Sequence, residues 1–175
     1  MTTLTLKEIE TPTGVMRLGA TEDALVLCDW PDAQGAAHCL SALCRRLGAV
    51  PVPGDSPVLE KVEKALKDYF AGRLQTFDMP LRPCGTPFQE TVWRALLEIP
   101  YGKTASYGDI ARRIGRPTAF RAVARAVGAN PLCIAVPCHR IIGSDGSLTG
   151  FGGGLDRKVL LSRKAQAVLG RPKLP

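Results

Sequence analysis

The 175-residue chain has no apolar run close to the roughly 20 residues that a membrane-spanning helix needs, so no membrane partner is expected. Its amino terminus, Met1-Thr-Thr-Leu-Thr-Leu-Lys-Glu, lacks the basic stretch and apolar core of a secretory signal, and the expected location is cytoplasmic. Without export, the six cysteines read as free thiols rather than as three disulfides. Finger-like spacing is absent too. Cys28, His38, Cys39 and Cys44 fit no zinc pattern, and neither a metal nor a cofactor is expected. With 45% hydrophobic and 22% charged residues, the composition is that of a globular protein and excludes a disordered chain. The length allows one domain or two small ones and excludes a multidomain machine.

Acidic residues are scarce in one half only. Residues 86–175 carry 14 Lys/Arg against 5 Asp/Glu, a net of +9, whereas residues 1–85 carry 9 against 11, a net of −2. Together these give the +7 of the whole chain. A basic half joined to a nearly neutral one suits a polyanionic partner, most simply nucleic acid; a solvated basic surface would look the same. The division falls near Pro83-Cys84-Gly85, which predicts domains of residues 1–85 and 86–175.

In the first half, Thr11-Pro12-Thr13-Gly14 interrupts Leu4 to Leu18 as a hairpin would, and Ala24 to Cys28 follows the turn residues Thr21-Glu22-Asp23. After a Gly/Pro-rich stretch from Gly48 to Pro57, Leu59, Val62, Leu66, Tyr69 and Phe70 recur at helical spacing, with Gly72 as the stop. Strands followed by a helix make a small α/β unit, and nothing in it looks catalytic.

In the second half, Thr86-Pro87-Phe88-Gln89 is a capping box that opens a helix with Phe88, Val92 and Leu96 on one face. Ile99-Pro100-Tyr101-Gly102 ends it. Ser106-Tyr107-Gly108-Asp109 repeats the capping pattern for a short helix stopped by Gly115. An Arg/Ala-rich stretch, Phe120 to Gly128, follows. Two short helices around a tight turn read as a helix-turn-helix. Arg121 and Arg125 lie one turn apart on one face, and small side chains such as Ala122 allow close approach to another surface. A core helix with solvated arginines has the same pattern.

Cys138 and His139 are adjacent within Ile134-Ala135-Val136-Pro137-Cys138-His139-Arg140-Ile141-Ile142. A free thiol is only a few per cent thiolate at neutral pH, and thiolate is the nucleophile. The imidazole and the Arg140 cation are candidates to raise that fraction. In a regular strand, however, consecutive side chains point to opposite faces. Either Pro137 distorts the backbone, or a water carries the proton between the two.

Pro137-Cys138-His139-Arg140, together with Asn130-Pro131, Gly143-Ser144-Asp145-Gly146 and Thr149-Gly150-Phe151-Gly152-Gly153-Gly154, resembles the O6-alkylguanine-DNA alkyltransferases. So does Ile99-Pro100-Tyr101-Gly102 with Ser106-Tyr107. The likeness is dense over residues 86–161 and rests on length and pattern alone before that. It implies an α+β protein: a small N-terminal α/β domain, ribonuclease-H-like, followed by a mainly helical, winged helix-turn-helix-like DNA-binding domain. The implied activity is a single-turnover repair reaction, in which Cys138 takes an alkyl group from O6 of guanine in double-stranded DNA, with O4 of thymine a second candidate substrate. His139 is implied as the base, acting through a water. Tyr107 is implied to push on the phosphate of a flipped nucleotide, and Arg121 to enter the vacated stack from the minor groove. Asn130 is implied to brace the active-site turn. A monomer is expected.

Two positions depart from the family pattern. A family glutamate on the last helix accepts a hydrogen bond from the histidine. Its ungapped counterpart is Ala165, and matching the Leu160-Leu161 pair gives Lys164 instead. No acidic residue follows Asp156. Phe151 stands where the family usually has tyrosine beside the base pocket, which keeps stacking and loses a hydroxyl. Two other classes of function compete. A non-repairing sensor of alkylated DNA, of the alkyltransferase-like type, would carry another residue at position 138. A cysteine hydrolase would need an oxyanion hole and would leave the helix-turn-helix without a role.

Overall fold

The computed structural model describes residues 1–147, 151 and 153–169, without the side chains of 163–169. Strand β1 (Thr2–Thr11) turns at Pro12-Thr13 into antiparallel β2 (Gly14–Ala20). Gly14, at φ +102°, and the Thr11 hydroxyl on the Gly14 carbonyl at 2.7 Å close the turn. Leu4 and Ile9 lie five residues apart on β1 and so point to opposite faces: Leu4 packs with Val26, Leu27 and Leu43, whereas Ile9 joins Met16, Leu18 and Ala20 of β2 in the larger core, so both faces of the sheet are covered. Strand β3 (Leu25–Asp29) is buried along its whole length beside β2.

Helix α1 (Ala36–Leu47) and strand β4 (Ala49–Pro53) complete the sheet, in the order β3-β2-β1-β4 with β4 parallel to β1. Neither element was expected. β4 falls inside the Gly/Pro-rich stretch, where Pro51 and Pro53 argue against a strand, yet as the last strand of the sheet it can lack those amide donors. Helix α2 (Pro57–Phe70) agrees with the periodicity. Ser56 caps it, accepting from the Leu59 amide, and Gly72 at φ +78° follows its end.

Both sequence-read capping boxes are present. Thr86 and Gln89 open α3 (Pro87–Leu96), and Ser106 and Asp109 open α4 (Tyr107–Arg113). A two-residue strand β5 (Ala105–Ser106) precedes α4, and α5 (Phe120–Gly128) packs against both helices. The Trp93 indole donates to the Ala126 carbonyl at 2.7 Å and ties α3 to α5. β6 (Ile141–Ile142) pairs parallel with β5, and α6 (Leu155–Leu169) ends the described chain. The fold class is therefore α+β, as expected.

The core crosses the boundary at residues 83–85. One buried cluster runs from Met16 and Leu18 through Trp30, Tyr69 and Trp93 to Cys138 and Leu161. The Cys28 amide donates to the Pro131 carbonyl, and the Cys133 amide to the Cys28 carbonyl, each at 2.8 Å. Strand β3 of the first half thus holds the motif-bearing segment of the second. Arg157 on α6 adds a second tie, pairing with Asp32, donating to the Thr13 carbonyl and stacking 5.0 Å over the Trp30 ring.

Candidate active site and nucleic-acid interface

The segment from Asn130 to Arg140 is a tightly braced turn. The Asn130 side chain donates to the Val136 carbonyl and accepts from the Leu132 amide, both at 3.0 Å, so one amide group clamps both limbs. Between them Ile134 sits at φ +71°. A β-branched residue rarely adopts that left-handed conformation, which costs of order 1–3 kcal/mol where the surroundings enforce it. Cys138–Arg140 then form a short 3-10 helix rather than the strand considered from the sequence. Consecutive side chains in such a helix still diverge, by about 120°, so the backbone alone does not turn the His139 ring onto the Cys138 sulfur.

Cys138 opens onto a cavity of about 430 Å³ that Cys133, Asn130, Trp30, Phe151 and Arg125 also line. Phe151 meets Trp30 edge to face at 5.9 Å. Gly153 makes this wall possible, since a Cβ there would lie 2.6 Å from both rings. The volume is in the range of small-ligand sites, and the lining combines aromatic surface with a few convergent polar groups.

The electrostatics favour sulfur anion over imidazolium. A hydrogen bond from the Cys133 thiol lowers the Cys138 thiol below its ordinary value; Asn130 and the Lys158 charge lower it further, against the effect of burial. Cys133 moves well upward, through the same hydrogen bond and through burial. Burial, with the Arg140 and Lys158 charges, pushes His139 down to about 3, so its ring is neutral at physiological pH. Its Nε2 lies 3.4 Å from the Tyr69 hydroxyl of α2, and its Nδ1 is buried with no hydrogen-bond partner among the described residues.

Arg140 does not act on Cys138 as the sequence reading allowed. Its guanidinium donates to the Ile99 carbonyl at 2.7 Å and lies 5.5 Å over the Tyr101 ring. The cation that favours the Cys138 anion is Lys158, buried on α6 and itself pushed down to about 8 by burial. Sequence reasoning missed Lys158, Cys133 and Tyr69. Lys158 lies twenty residues beyond the motif on an unremarkable basic helix, and Tyr69 is indistinguishable by spacing from a core residue. Cys133 was visible in Asn130-Pro131-Leu132-Cys133 but had no spacing rule to mark it.

The helix pair presents the basic surface. Arg121, Ala122 and Arg125 are exposed on α5, and no carboxylate pairs with either arginine among the described residues. Arg121 lies 5.9 Å from the exposed Phe120 ring. Tyr107 is half-buried at the start of α4. The site residues thus fall into two groups. Cys138, Asn130, Phe151 and Arg125 share the cavity wall, whereas Tyr107, Arg121 and Ala122 lie on the helix pair beside it and His139 and Arg140 lie away from it. Arg125 links the two, because it is both on the basic face and on the cavity wall. A polyanion running along α5 could pass one unit into the cavity and reach the thiol. The motif residues Thr149, Gly150 and Gly152, and the side chains of Lys164 and Ala165, lie outside the described residues.

Residues 87–166 match the family model described as 6-O-methylguanine DNA methyltransferase, DNA binding domain. The methylated-DNA–protein-cysteine methyltransferase of Methanosarcina mazei is 46% identical over 132 residues, covering 74% of this chain and 84% of that protein. Among solved structures, the Mycobacterium tuberculosis OGT in complex with DNA superposes with a TM-score of 0.80 at 40% identity, covering 94% of each chain. The O6-methylguanine-DNA methyltransferase of Pyrococcus kodakaraensis gives 0.65 at 25% identity, covering 93% of this chain and 98% of that one.

Proposed function

The chain belongs to the methylated-DNA–protein-cysteine methyltransferase family, and on that premise we infer that it repairs DNA by moving an alkyl group from O6 of guanine onto one of its own cysteines. We propose Cys138 as the acceptor. One observation carries the assignment: its sulfur, held toward the anion, lines a cavity whose wall is shared with an arginine of the exposed basic helix. The sulfur attacks the alkyl carbon, the carbon–oxygen bond breaks, and its electron pair goes to O6 of guanine. The thiol proton ends on the released guanine, and the thioether remains on the protein. No product leaves the sulfur, so each molecule acts once.

The other residues serve that step. His139 is the proposed base, through a water. Its neutral ring keeps one nitrogen able to accept a proton, and its low basicity makes the anion-stabilising groups around Cys138 the larger contribution. Asn130 holds the turn and the sulfur together. Arg140 anchors the 3-10 helix to the end of α3 through the Ile99 carbonyl and so fixes where Cys138 points. Arg121, Ala122, Arg125 and Tyr107 are proposed to grip double-stranded DNA and to hold one nucleotide out of the stack, and Phe151 is proposed to stack on the flipped base. The proposed organisation is a supporting part, residues 1–85, and a DNA-binding, alkyl-accepting part, residues 86–175. A monomer acting in the cytoplasm is proposed, and O4-alkylthymine is the proposed second substrate. No helix among the described residues is long and apolar enough to cross a membrane.

The test is intact mass after incubation with a duplex containing O6-methylguanine, followed by peptide mapping. One added methyl on Cys138, with no second turnover, is expected. Binding with unchanged mass would replace this reading with that of a damage sensor, and repeated turnover with an unmodified sulfur would replace it with a hydrolase.

A further inference from the structure

We propose that Cys133 is a positioning residue for alkyl transfer: its thiol and that of Cys138 form a buried pair sharing one proton, in which the Cys133 S–H donates to the Cys138 sulfur as that sulfur becomes the anion. The inference rests on the reading of Cys138 as the alkyl acceptor. Cys133 and Cys138 both line the same cavity, and both residues are buried. The Cys133 thiol donates to the Asn130 carbonyl at 3.6 Å, and the Cys138 sulfur, of a residue on the same cavity wall, is the second acceptor proposed for it. With Cys138 neutral, either acceptor serves. Once Cys138 carries charge, the S–H swings to it, because a hydrogen bond to an ionised acceptor is roughly twice as strong as one between neutral groups.

The pair behaves as two like groups in one site do. The first ionisation is eased by the neighbour's remaining proton, and the second is opposed by the neighbour's charge. The opposite shifts at Cys138 and Cys133 follow from this arrangement. Around the pair, β3 contributes Cys28, whose thiol burial keeps protonated, and Asp29, whose charge opposes an anion on Cys133 and is itself engaged by Arg17. From α6 comes Lys158, which favours the anion on Cys138, and Arg125 of α5 borders the cavity. His139, adjacent in sequence, is neutral. A chain with no acidic residue after Asp156 has no carboxylate on its last helix to raise the basicity of that histidine. Stabilising the sulfur anion directly, by a donor five residues upstream, lowers the demand on the base.

Three variants test this, with methyl transfer from an O6-methylguanine duplex and the pH dependence of Cys138 alkylation by iodoacetamide, read at peptide level, as the two measurements. Cys133→Val keeps the apolar volume and removes the donor. Cys133→Ala removes the donor and some volume. Cys133→Ser keeps a donor. Val and Ala are expected to move the alkylation midpoint of Cys138 upward and to slow transfer at neutral pH roughly tenfold, the weight of one charge-assisted hydrogen bond. Ser is expected to restore both toward the wild type. A midpoint and rate unchanged in Val and Ala would overturn the inference, as would Ser behaving like Val. Failure of the wild-type protein to acquire a methyl group would instead overturn the reading on which it rests.

Discussion

Acid should unfold this protein through His139, by an amount that the burial of its ring allows one to work out. Unfolded, the imidazole has its ordinary value of 6.5; folded, it is held down to about 3. The unfolded chain therefore binds a proton that the folded one refuses between these values. The contribution to stability is fully present above pH 6.5 and is lost as pH falls toward 3. Between pH 7 and pH 5 the loss is about 2 kcal/mol, and it barely changes if the folded value lies anywhere below 4. At a urea slope of roughly 2 kcal/mol per molar, the unfolding midpoint should fall by about 1 M over that interval. Carboxylates also titrate in this range, so the comparison is with His139→Gln, which keeps them and loses the imidazole. The variant should lose about 2 kcal/mol less than the wild type between pH 7 and pH 5. Equal losses in the two proteins would refute the reasoning, because they would mean that the folded ring accepts its proton as freely as the unfolded one.

Other expectations address the reaction. Cys138→Ala should abolish methyl transfer and retain duplex binding, read by intact mass and fluorescence anisotropy. Arg121→Ala should slow repair of duplex DNA and leave Cys138 as reactive toward iodoacetamide as before; unchanged duplex repair would remove its assigned role. Lys158→Met should raise the pH at which Cys138 becomes reactive, since the charge that favours its anion is gone. Gly153→Ala should cost about 1–3 kcal/mol in urea unfolding and weaken substrate binding, because its new methyl group collides with the Phe151 and Trp30 rings.

The elements legible in the sequence are those fixed by neighbours along the chain. The β1–β2 hairpin, the periodic face of α2, and the capping boxes at Thr86 and Ser106 each depend on contacts a few residues apart, and each is present. Strand β4 was not legible, because its prolines signal against a strand unless one knows that it lies last in the sheet. Helix α1 opens after Gly35 with no side-chain cap and no acidic residue in its first turn, so the local start signals are missing.

The same division holds for the site. Pro137-Cys138-His139-Arg140 announced a nucleophile, and the lone basic half announced a polyanion, because residue identity and net charge survive any folding. What surrounds the sulfur was decided by the tertiary structure. Lys158 and Cys133 reach Cys138, Tyr69 reaches His139, and Arg140 turns away to the Ile99 carbonyl. Those relations set the charge on the thiol and the neutrality of the ring. They depend on burial and on distances between elements remote in sequence, and local residue patterns carry neither.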